Sequence, residues 1–315
     1  PRGCEDAIIN MLYSLKIDYE IVDNTNHGKP IGVTFKGKER DEQLDAINAL
    51  MPFSNGVLSA TTAFGKTVTA AALIARRKTN TLILVHSKAL LMQWHERLSE
   101  FLDIDFTEDE ISKKRGRKKA FSPVGCLDST SNTLHGVIDI ALMQSCFEND
   151  EVKPFVKGYG MVIVDECHHV SSITFENVLK HVTAHYVYGL TATPIRKDGL
   201  QPIIFMQCGP IRFSADAKAQ IQKQSFQRYL VPRFTSYRPV TDDKQSFTEL
   251  SQSLAESEIR NNLIVEDVLN VVAAGRTPII LTARTSHVEL LAEMLKQHII
   301  NIIQLTGEGL SLIHI

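Results

Sequence analysis

The sequence predicts an α/β protein built on a doubly wound parallel sheet. Short apolar runs of strand length alternate with longer segments whose apolar residues recur at helical spacing, as at 81–86 and 88–101. Several of these runs end directly at a polar residue, which is typical of parallel strands whose carboxyl ends carry a site. With 315 residues and 43% hydrophobic content, the chain is long enough for two such domains.

The first domain contains most of the predicted elements. Its strands are expected at 56–60, 81–86, 137–143, 161–165 and 186–190, and its helices at 66–77 and 88–101. The second domain is smaller. It is expected to hold a long helical segment at 247–274 that Gly275 ends, strands at 278–282 and 302–305, and a helix at 288–297.

The predicted domain limits follow from these elements. We expect the first domain at 39–213, a linker at 214–230, and a truncated second domain at 231–309. Residues 1–38, with a helix at 6–15 and strands at 19–22 and 31–35, are expected to be an N-terminal extension or the end of a preceding module. Residues 310–315 resemble translated adaptor DNA, so they are expected to be an artefact outside the fold.

The composition excludes several classes of protein. The longest apolar runs are far shorter than the ~20 residues of a membrane span, so no membrane partner is expected. Five cysteines without CxxC spacing argue against a disulfide framework or a zinc knuckle and favour a reducing, cytoplasmic setting. The formal charge of −2 conceals a run of six positive charges at 113–119, which is either a solvated loop or a contact for a polyanion.

One segment between a predicted strand and a predicted helix has the character of a phosphate loop. Its residues are Ala60, Thr61, Thr62, Ala63, Phe64, Gly65, Lys66 and Thr67. In such a loop backbone N–H groups surround the β-phosphate, Lys66 bridges the β- and γ-phosphates, and the Thr67 hydroxyl binds Mg²⁺. Ala60 stands where these loops usually have glycine, and the alternative is a strand–turn–helix that contains Gly-Lys-Thr by chance.

An acidic pair, Asp165 and Glu166, follows the apolar strand predicted at 161–165. We expect Asp165 to hold Mg²⁺ through its water shell and Glu166 to polarise the attacking water. Zinc binding by His168 and His169 is the alternative, but adjacent histidines lack the i, i+4 spacing that places two imidazoles on one helix face. The sequence therefore predicts ATP and Mg²⁺ as cofactors, with Lys66 and Glu166 as the catalytic residues.

The segment Asp-Glu-Cys-His at 165–168 resembles motif II of superfamily 2 helicases in its DExH form, and Leu-Thr-Ala-Thr-Pro at 190–194 resembles their motif III. The resemblance covers about residues 38–305 and is strongest to the branch of XPB-type and restriction-subunit-type DNA translocases. It implies two RecA-like P-loop lobes with ATP between them. It also implies that His169, Thr191 and Thr193 couple the nucleotide state to the grip on nucleic acid.

Further segments resemble other motifs of that family. Arg40 and Gln43 resemble its adenine-reading element, although a plain surface helix is the alternative. The nucleic-acid contacts that the resemblance implies are His86, Ser87, Lys88, Gln144 and Ser145. A helix N-terminus at Ser87 and Lys88 also suits a backbone phosphate. Trp94 is expected in the core rather than as a stacking platform, and 279–284 resembles motif IV. Phe64 and the segment 196–199 also resemble helicases fused to a primase in prokaryotic conflict systems.

The resemblance implies an ATP-dependent helicase or translocase whose partner is nucleic acid. Duplex DNA is expected rather than RNA, because the motif reads Asp-Glu-Cys-His and not Asp-Glu-Ala-Asp. An RNA helicase and a nucleotide-switched DNA-binding clamp are the alternatives. A small-molecule kinase is disfavoured, since it has no need for two such motifs 25 residues apart. The family's arginine finger is expected beyond residue 315, so this fragment is expected to hydrolyse ATP poorly.

Overall fold

The computed structural model describes most of the chain. The described residues are 1–105, 122–168, 173–192, 201–215, 229–238, 246–307 and 310–314. The chain divides into two compact units, Pro1–Phe226 and Gln227–Ile315. The division falls inside the segment predicted as a linker. Among the described residues, no helix has the length and apolar character of a membrane crossing.

Helices and strands are numbered here in chain order. The helices are α1 (Glu5–Ser14), α2 (Asp41–Leu50), α3 (Lys66–Arg77), α4 (Lys88–Phe101), α5 (Ile173–His181), α6 (Gln201–Cys208), α7 (Phe247–Glu256), α8 (Glu258–Ala273) and α9 (Thr285–Lys296). The strands are β1 (Val33–Phe35), β2 (Asn55–Ser59), β3 (Thr81–Val85), β4 (Leu102–Ile104), β5 (Gly125–Leu127), β6 (Ile138–Leu142), β7 (Phe147–Glu148), β8 (Glu151–Val152), β9 (Met161–Val164), β10 (Tyr186–Thr191), β11 (Ile211–Ser214), β12 (Ile279–Thr282), β13 (Ile303–Gly307) and β14 (Leu310–His314).

The first unit is organised around a seven-stranded parallel sheet in the order β11–β2–β10–β9–β3–β6–β5. The five central strands and the helices α3 and α4 confirm the predicted doubly wound fold. The edge strands β5 and β11 have no counterpart among the predicted strands. Because β2, β10 and β9 are neighbours, the segments that follow them meet at one edge of the sheet.

Both faces of this sheet are covered, which explains why its strands are almost continuously apolar. Alternate residues of one strand enter different cores: Ile83 packs with α2, α3 and α4, whereas Leu82 and Leu84 pack with α5 and α6. The strands are thus enclosed between two helical layers. Polar side chains at the strand ends extend from this packed core.

Residues 1–38 belong to the same compact unit. The Arg2 guanidinium donates to the Ala184 carbonyl at 3.0 Å, and Asp6 forms an ion pair with Arg212 at 2.6 Å. β1 pairs antiparallel with β4. The strand predicted at 19–22 is wrong, because these residues form neither a helix nor a strand and leave Ile21 and Val22 exposed.

The second unit differs from the prediction in two places. The single helical segment predicted at 247–274 is broken at Ser257, whose extended backbone (φ −66°, ψ 109°) ends α7 and occupies the N-cap position of α8 without a side-chain capping hydrogen bond. β14, which lies in the segment predicted to be outside the fold, sits between β12 and β13 and pairs antiparallel with both. Only two residues separate β13 from β14, and so short a connection suits antiparallel strands.

Candidate active site

The candidate site lies at the carboxyl edge of the seven-stranded sheet. The Ala60 amide, after β2, donates to the carbonyl of Thr191 at the end of β10, over 2.9 Å. The Cys167 amide, after β9, donates to the Leu190 carbonyl, also over 2.9 Å. Three segments that are far apart in the sequence are thereby fixed beside one another.

The predicted phosphate loop joins β2 to α3. A short 3-10 helix at Thr62–Phe64 leads into Gly65, whose φ of +86° lies in the left-handed region. This φ is strained for any residue with a side chain, and a Cβ at Gly65 would also lie 2.6 Å from Gln43 Nε2, so the position favours glycine. Phe64, an unusual residue for such a loop, is buried with its ring centroid 6.0 Å from that of Phe213. The loop is thus anchored in the core, and α3 begins at Lys66 immediately after it.

Lys66 and Glu166, the two predicted catalytic residues, are in direct contact. Lys66 Nζ lies 3.2 Å from Glu166 Oε1 and donates to the Ala60 carbonyl at 3.1 Å. The lysine is 7% exposed, so its charge is balanced by the carboxylate in a water-poor environment. Thr67, the predicted Mg²⁺ ligand, is half-buried in the first turn of α3.

Asp165 is buried behind this pair. Its Oδ2 accepts a hydrogen bond from Trp94 Nε1 at 2.6 Å, and its Oδ1 accepts one from the Glu166 amide at 3.0 Å. Burial raises the pKa of Asp165, and the Trp94 hydrogen bond opposes that shift. Trp94 is buried, as predicted, but its bond to Asp165 is a contact that the sequence pattern does not indicate.

The donor set fits a magnesium ion. Asp165 and Thr67 offer the hard oxygen ligands that Mg²⁺ prefers, and each Asp165 oxygen retains a lone pair after its one hydrogen bond. A divalent cation beside Asp165 would also offset the cost of burying that carboxylate.

Beyond Glu166 the contacts lead to β10. Glu166 has a φ of +45°, and its Oε2 lies 3.2 Å from His168 Nδ1. The same His168 nitrogen is 2.8 Å from the hydroxyl of Thr191, which is buried at the end of β10. Of the predicted coupling residues, His169 and Thr193 lie outside the described residues, as do the segments 113–119 and 196–199. His168 is the residue that the prediction missed, although it is the fourth letter of the Asp-Glu-Cys-His motif.

Arg40 and Gln43 contact the phosphate loop directly. Gln43 is buried, and its Nε2 donates to the Phe64 carbonyl at 3.0 Å while its Oε1 accepts from the Arg40 amide at 3.0 Å. The Arg40 guanidinium donates to the same Phe64 carbonyl and to that of Ala63. Arg40 and Gln43 therefore help to hold the phosphate loop in place. A helix that only faces solvent would not explain why Gln43 is buried.

The predicted nucleic-acid contacts lie on the other side of β9, after β3 and β6. Gln144 Nε2 is 3.5 Å from the His86 carbonyl, and Ser145 is half-buried beside it in sequence. The Ser87 hydroxyl caps α4 by accepting from the Leu90 amide at 3.3 Å. Lys88 Nζ lies 3.0 Å from Asp128 Oδ2 but keeps 60% of its side chain exposed. These residues therefore lie at the same carboxyl edge of the sheet as the phosphate loop, but they follow β3 and β6, whereas the loop follows β2.

Comparison with known proteins identifies the family. Residues 36–196 match the family described as "Type III restriction enzyme, res subunit". This segment is more than half of the chain and includes every strand end described above. The chain belongs to this family. The resemblance to superfamily 2 helicases is thereby confirmed, whereas fusion to a primase stays a prediction.

Individual relatives agree with this family. The chain is 29% identical over 280 residues to 161L of Invertebrate iridescent virus 6, a helicase by inference, covering 86% of this chain and 58% of that protein. It is 27% identical over 200 residues to the DNA 3′-5′ translocase XPB2 of Sulfurisphaera tokodaii, covering 63% and 41%. The solved UvsW helicase from Bacteriophage T4 matches with a TM-score of 0.48 at 14% identity, covering 68% of this chain and 79% of that one. The chain thus spans 41–58% of the length of these curated relatives.

Proposed function

We propose that this chain is the ATP-hydrolysing core of a helicase or translocase that moves along duplex DNA. The observation that carries the proposal is the direct contact between Lys66 and Glu166, 3.2 Å apart, at the edge where a phosphate loop and an acidic strand end meet. A lysine suited to phosphate and a carboxylate suited to activate water are needed together in ATP hydrolysis.

The roles of the site residues follow from their contacts. Lys66 would exchange the Glu166 carboxylate for phosphate oxygens when nucleotide binds, which leaves Glu166 able to accept a proton from the attacking water. Thr67 and Asp165 would hold Mg²⁺, which neutralises developing charge on the phosphates. Gln43, which already contacts the loop at Phe64, is proposed to face the adenine.

The coupling of hydrolysis to movement is assigned to the contacts of His168. Its Nδ1 is 3.2 Å from Glu166 Oε2 and 2.8 Å from the Thr191 hydroxyl. A movement of the catalytic carboxylate would therefore also displace His168 and the end of β10. Such a link lets the residues around the nucleotide respond to the residues that contact DNA. His169 and Thr193 remain predicted members of this link.

DNA is proposed as the partner because of the exposed cationic and amide groups after β3 and β6. Lys88 and Gln144 can donate to backbone phosphates without reading base sequence. The relative XPB2 is named as a DNA translocase, which supports DNA over RNA for this chain. The five cysteines are all free, which suits the reducing cytoplasm as the place of action.

The proposal is tested by nucleic-acid-stimulated ATPase of the natural protein that carries this chain. Duplex DNA is expected to raise ATP turnover more than RNA does, and Lys66→Ala should lower the stimulated rate by at least about 100-fold. The matched control is Lys180→Ala, which removes a lysine 2.7 Å from Glu176 in an exposed ion pair and should leave the rate unchanged.

Two outcomes would contradict the proposal in different ways. Stimulation by RNA and not by DNA would identify an RNA helicase. ATP-dependent DNA binding without turnover, altered in affinity but not in rate by Lys66→Ala, would identify a nucleotide-switched clamp.

A further inference from the structure

A second cluster of polar side chains lies at the opposite, amino-terminal edge of the sheet. Asp23 and His27 come from the segment between α1 and β1, and His185 directly precedes β10. One ligand atom from each of the three residues lies within 4.8 Å of the others. His27 Nε2 is 3.0 Å and His185 Nδ1 is 3.3 Å from the same oxygen, Asp23 Oδ2.

Backbone hydrogen bonds hold the two parts of this cluster together. The Asn26 amide donates to the Thr183 carbonyl at 2.7 Å, and the His185 amide donates back to the Asn26 carbonyl at 2.9 Å. On the far side, the Thr79 hydroxyl donates to the His27 carbonyl at 2.8 Å. The side chains of Asp23, His27 and His185 are thus placed by a fixed backbone and not by chance contact of two loose loops.

The carboxylate itself is oriented by Thr25. The amide and the hydroxyl of Thr25 both bond to Asp23 Oδ1, at 2.8 and 2.6 Å, which turns Oδ2 towards the histidines. The imidazole rings of His27 and His185 are stacked with centroids 4.1 Å apart.

We propose that Asp23, His27 and His185 bind a divalent transition-metal ion of the zinc type. Zinc bonds imidazole nitrogen and carboxylate oxygen at about 2.0–2.1 Å in tetrahedral sites, which places neighbouring ligand atoms about 3.3 Å apart. The two separations from Asp23 Oδ2, 3.0 and 3.3 Å, are close to that value. To bind the ion, His185 Nδ1 would give up its contact with the Thr25 hydroxyl, 2.8 Å away, and the stacked rings would turn until both nitrogens point at the ion. Two nitrogen ligands also disfavour Mg²⁺ and Ca²⁺, which take oxygen ligands.

The remaining coordination position has access to solvent. Asp23, Thr25 and His185 line a cavity of about 950 Å³, and His27 is 63% exposed. A metal ion can therefore enter, and water can complete a site with three protein ligands. The ion would fasten the segment that follows α1 to the start of β10, at the end of the strand opposite Thr191, so the site is independent of ATP hydrolysis.

The direct test is a zinc titration of the metal-free chain against a chromophoric zinc indicator. The parent chain is expected to bind one equivalent of Zn²⁺, and His27→Ala and His185→Ala should each weaken binding by at least about tenfold. The control is His181→Ala, which removes an exposed histidine bonded only to the Asn177 carbonyl among its described contacts and should keep the parent affinity. Because His27 is largely exposed, its removal should leave the circular dichroism spectrum unchanged.

Hydrogen exchange of the backbone amides at 23–27 gives a second readout. Zn²⁺ should slow exchange there in the parent and in His181→Ala, and should have no effect in His27→Ala. Absence of binding at one equivalent, or equal affinity in the parent and His27→Ala, would show that the three residues form a hydrogen-bonded cluster without a metal. Binding that disappears only in Glu166→Gln would place the ion at the ATP site and would also overturn the proposal.

Discussion

The carboxyl edge of the sheet has two sides that differ in burial. On the phosphate side, Lys66 and Asp165 are 7% and 6% exposed, and each is bonded to an internal partner. On the side proposed to bind nucleic acid, after β3 and β6, Lys88 is 60% exposed and Gln144 is open to solvent. Buried groups in fixed positions can stabilise charge on one small ligand, whereas exposed groups can follow a long polymer and release it. If the proposed function is correct, the residues for ATP hydrolysis and those for DNA binding lie at the same sheet edge and differ in burial.

The largest effect is expected on the phosphate side, from Glu166→Gln. The amide cannot accept the proton of the attacking water, so ATP turnover in the natural protein should fall by at least about 100-fold while ATP–Mg²⁺ binding is retained. Rapid-mix ATPase and nucleotide titration measure the two quantities. Glu176→Gln, in the exposed ion pair of α5, is the control. Turnover within tenfold of the parent would remove Glu166 from the catalytic role.

A smaller effect is expected from Trp94→Phe, which removes the indole N–H that donates to Asp165. The change keeps the aromatic ring but leaves Asp165 Oδ2 without its buried donor, which should cost about 1–3 kcal/mol of the free energy of unfolding. The Mg²⁺ concentration for half-maximal ATPase should rise as well. Tyr188→Phe removes another buried donor, bonded to the Phe53 carbonyl at 2.6 Å. It should destabilise the fold similarly, and a similar rise in its Mg²⁺ requirement would mean that Trp94 acts only through stability.

The link between the two sides is tested by a double-mutant cycle at His168 and Thr191. His168→Ala and Thr191→Val each break the 2.8 Å contact, so their effects on DNA stimulation should be less than additive by about 0.5–1.5 kcal/mol. The measured quantity is the ratio of ATPase rates with and without duplex DNA. If the two effects are additive, the contact between His168 and Thr191 does not couple ATP hydrolysis to DNA binding.

The smallest effect is expected on the nucleic-acid side, from Lys88→Ala. Loss of one phosphate contact should reduce the slope of log K against log salt by about one unit and leave turnover at saturating DNA unchanged. Lys180→Ala, far from the carboxyl edge on α5, should keep the parent slope. If both variants give the same slope, Lys88 serves only its ion pair with Asp128.

Sequence periodicity and motif spacing are sufficient to predict the centre of the fold and the phosphate side. β2, β3, β6, β9 and β10 are short and mostly apolar runs, and the motifs that follow β2 and β9 indicate that Lys66 and Glu166 meet at the carboxyl edge of a parallel sheet. The edge strand β5 has only three residues, Gly-Cys-Leu, which is too short for a period to be read. The break at Ser257 is equally hidden, since apolar residues continue on both sides of it.

Contacts between distant segments could not be predicted. Trp94 is 71 residues from Asp165, and its apolar position on α4 gives no sign that its N–H reaches a carboxylate. Asp23 and His27 have the i, i+4 spacing of metal ligands, but they lie outside any helix and their partner His185 belongs to another layer of the fold. Only the folded arrangement reveals these groups, because each depends on which segments of the chain become neighbours.

The backbone of Glu166 has one further consequence. A non-glycine residue in the left-handed region, here at φ +45°, costs roughly 1–2 kcal/mol relative to an ordinary conformation, and glycine would avoid that cost. The residue that we propose activates water is therefore held in a conformation that weakens the fold. Heat tolerance and turnover make opposite demands on position 166, and a selection for thermal resistance alone would favour replacing this acid.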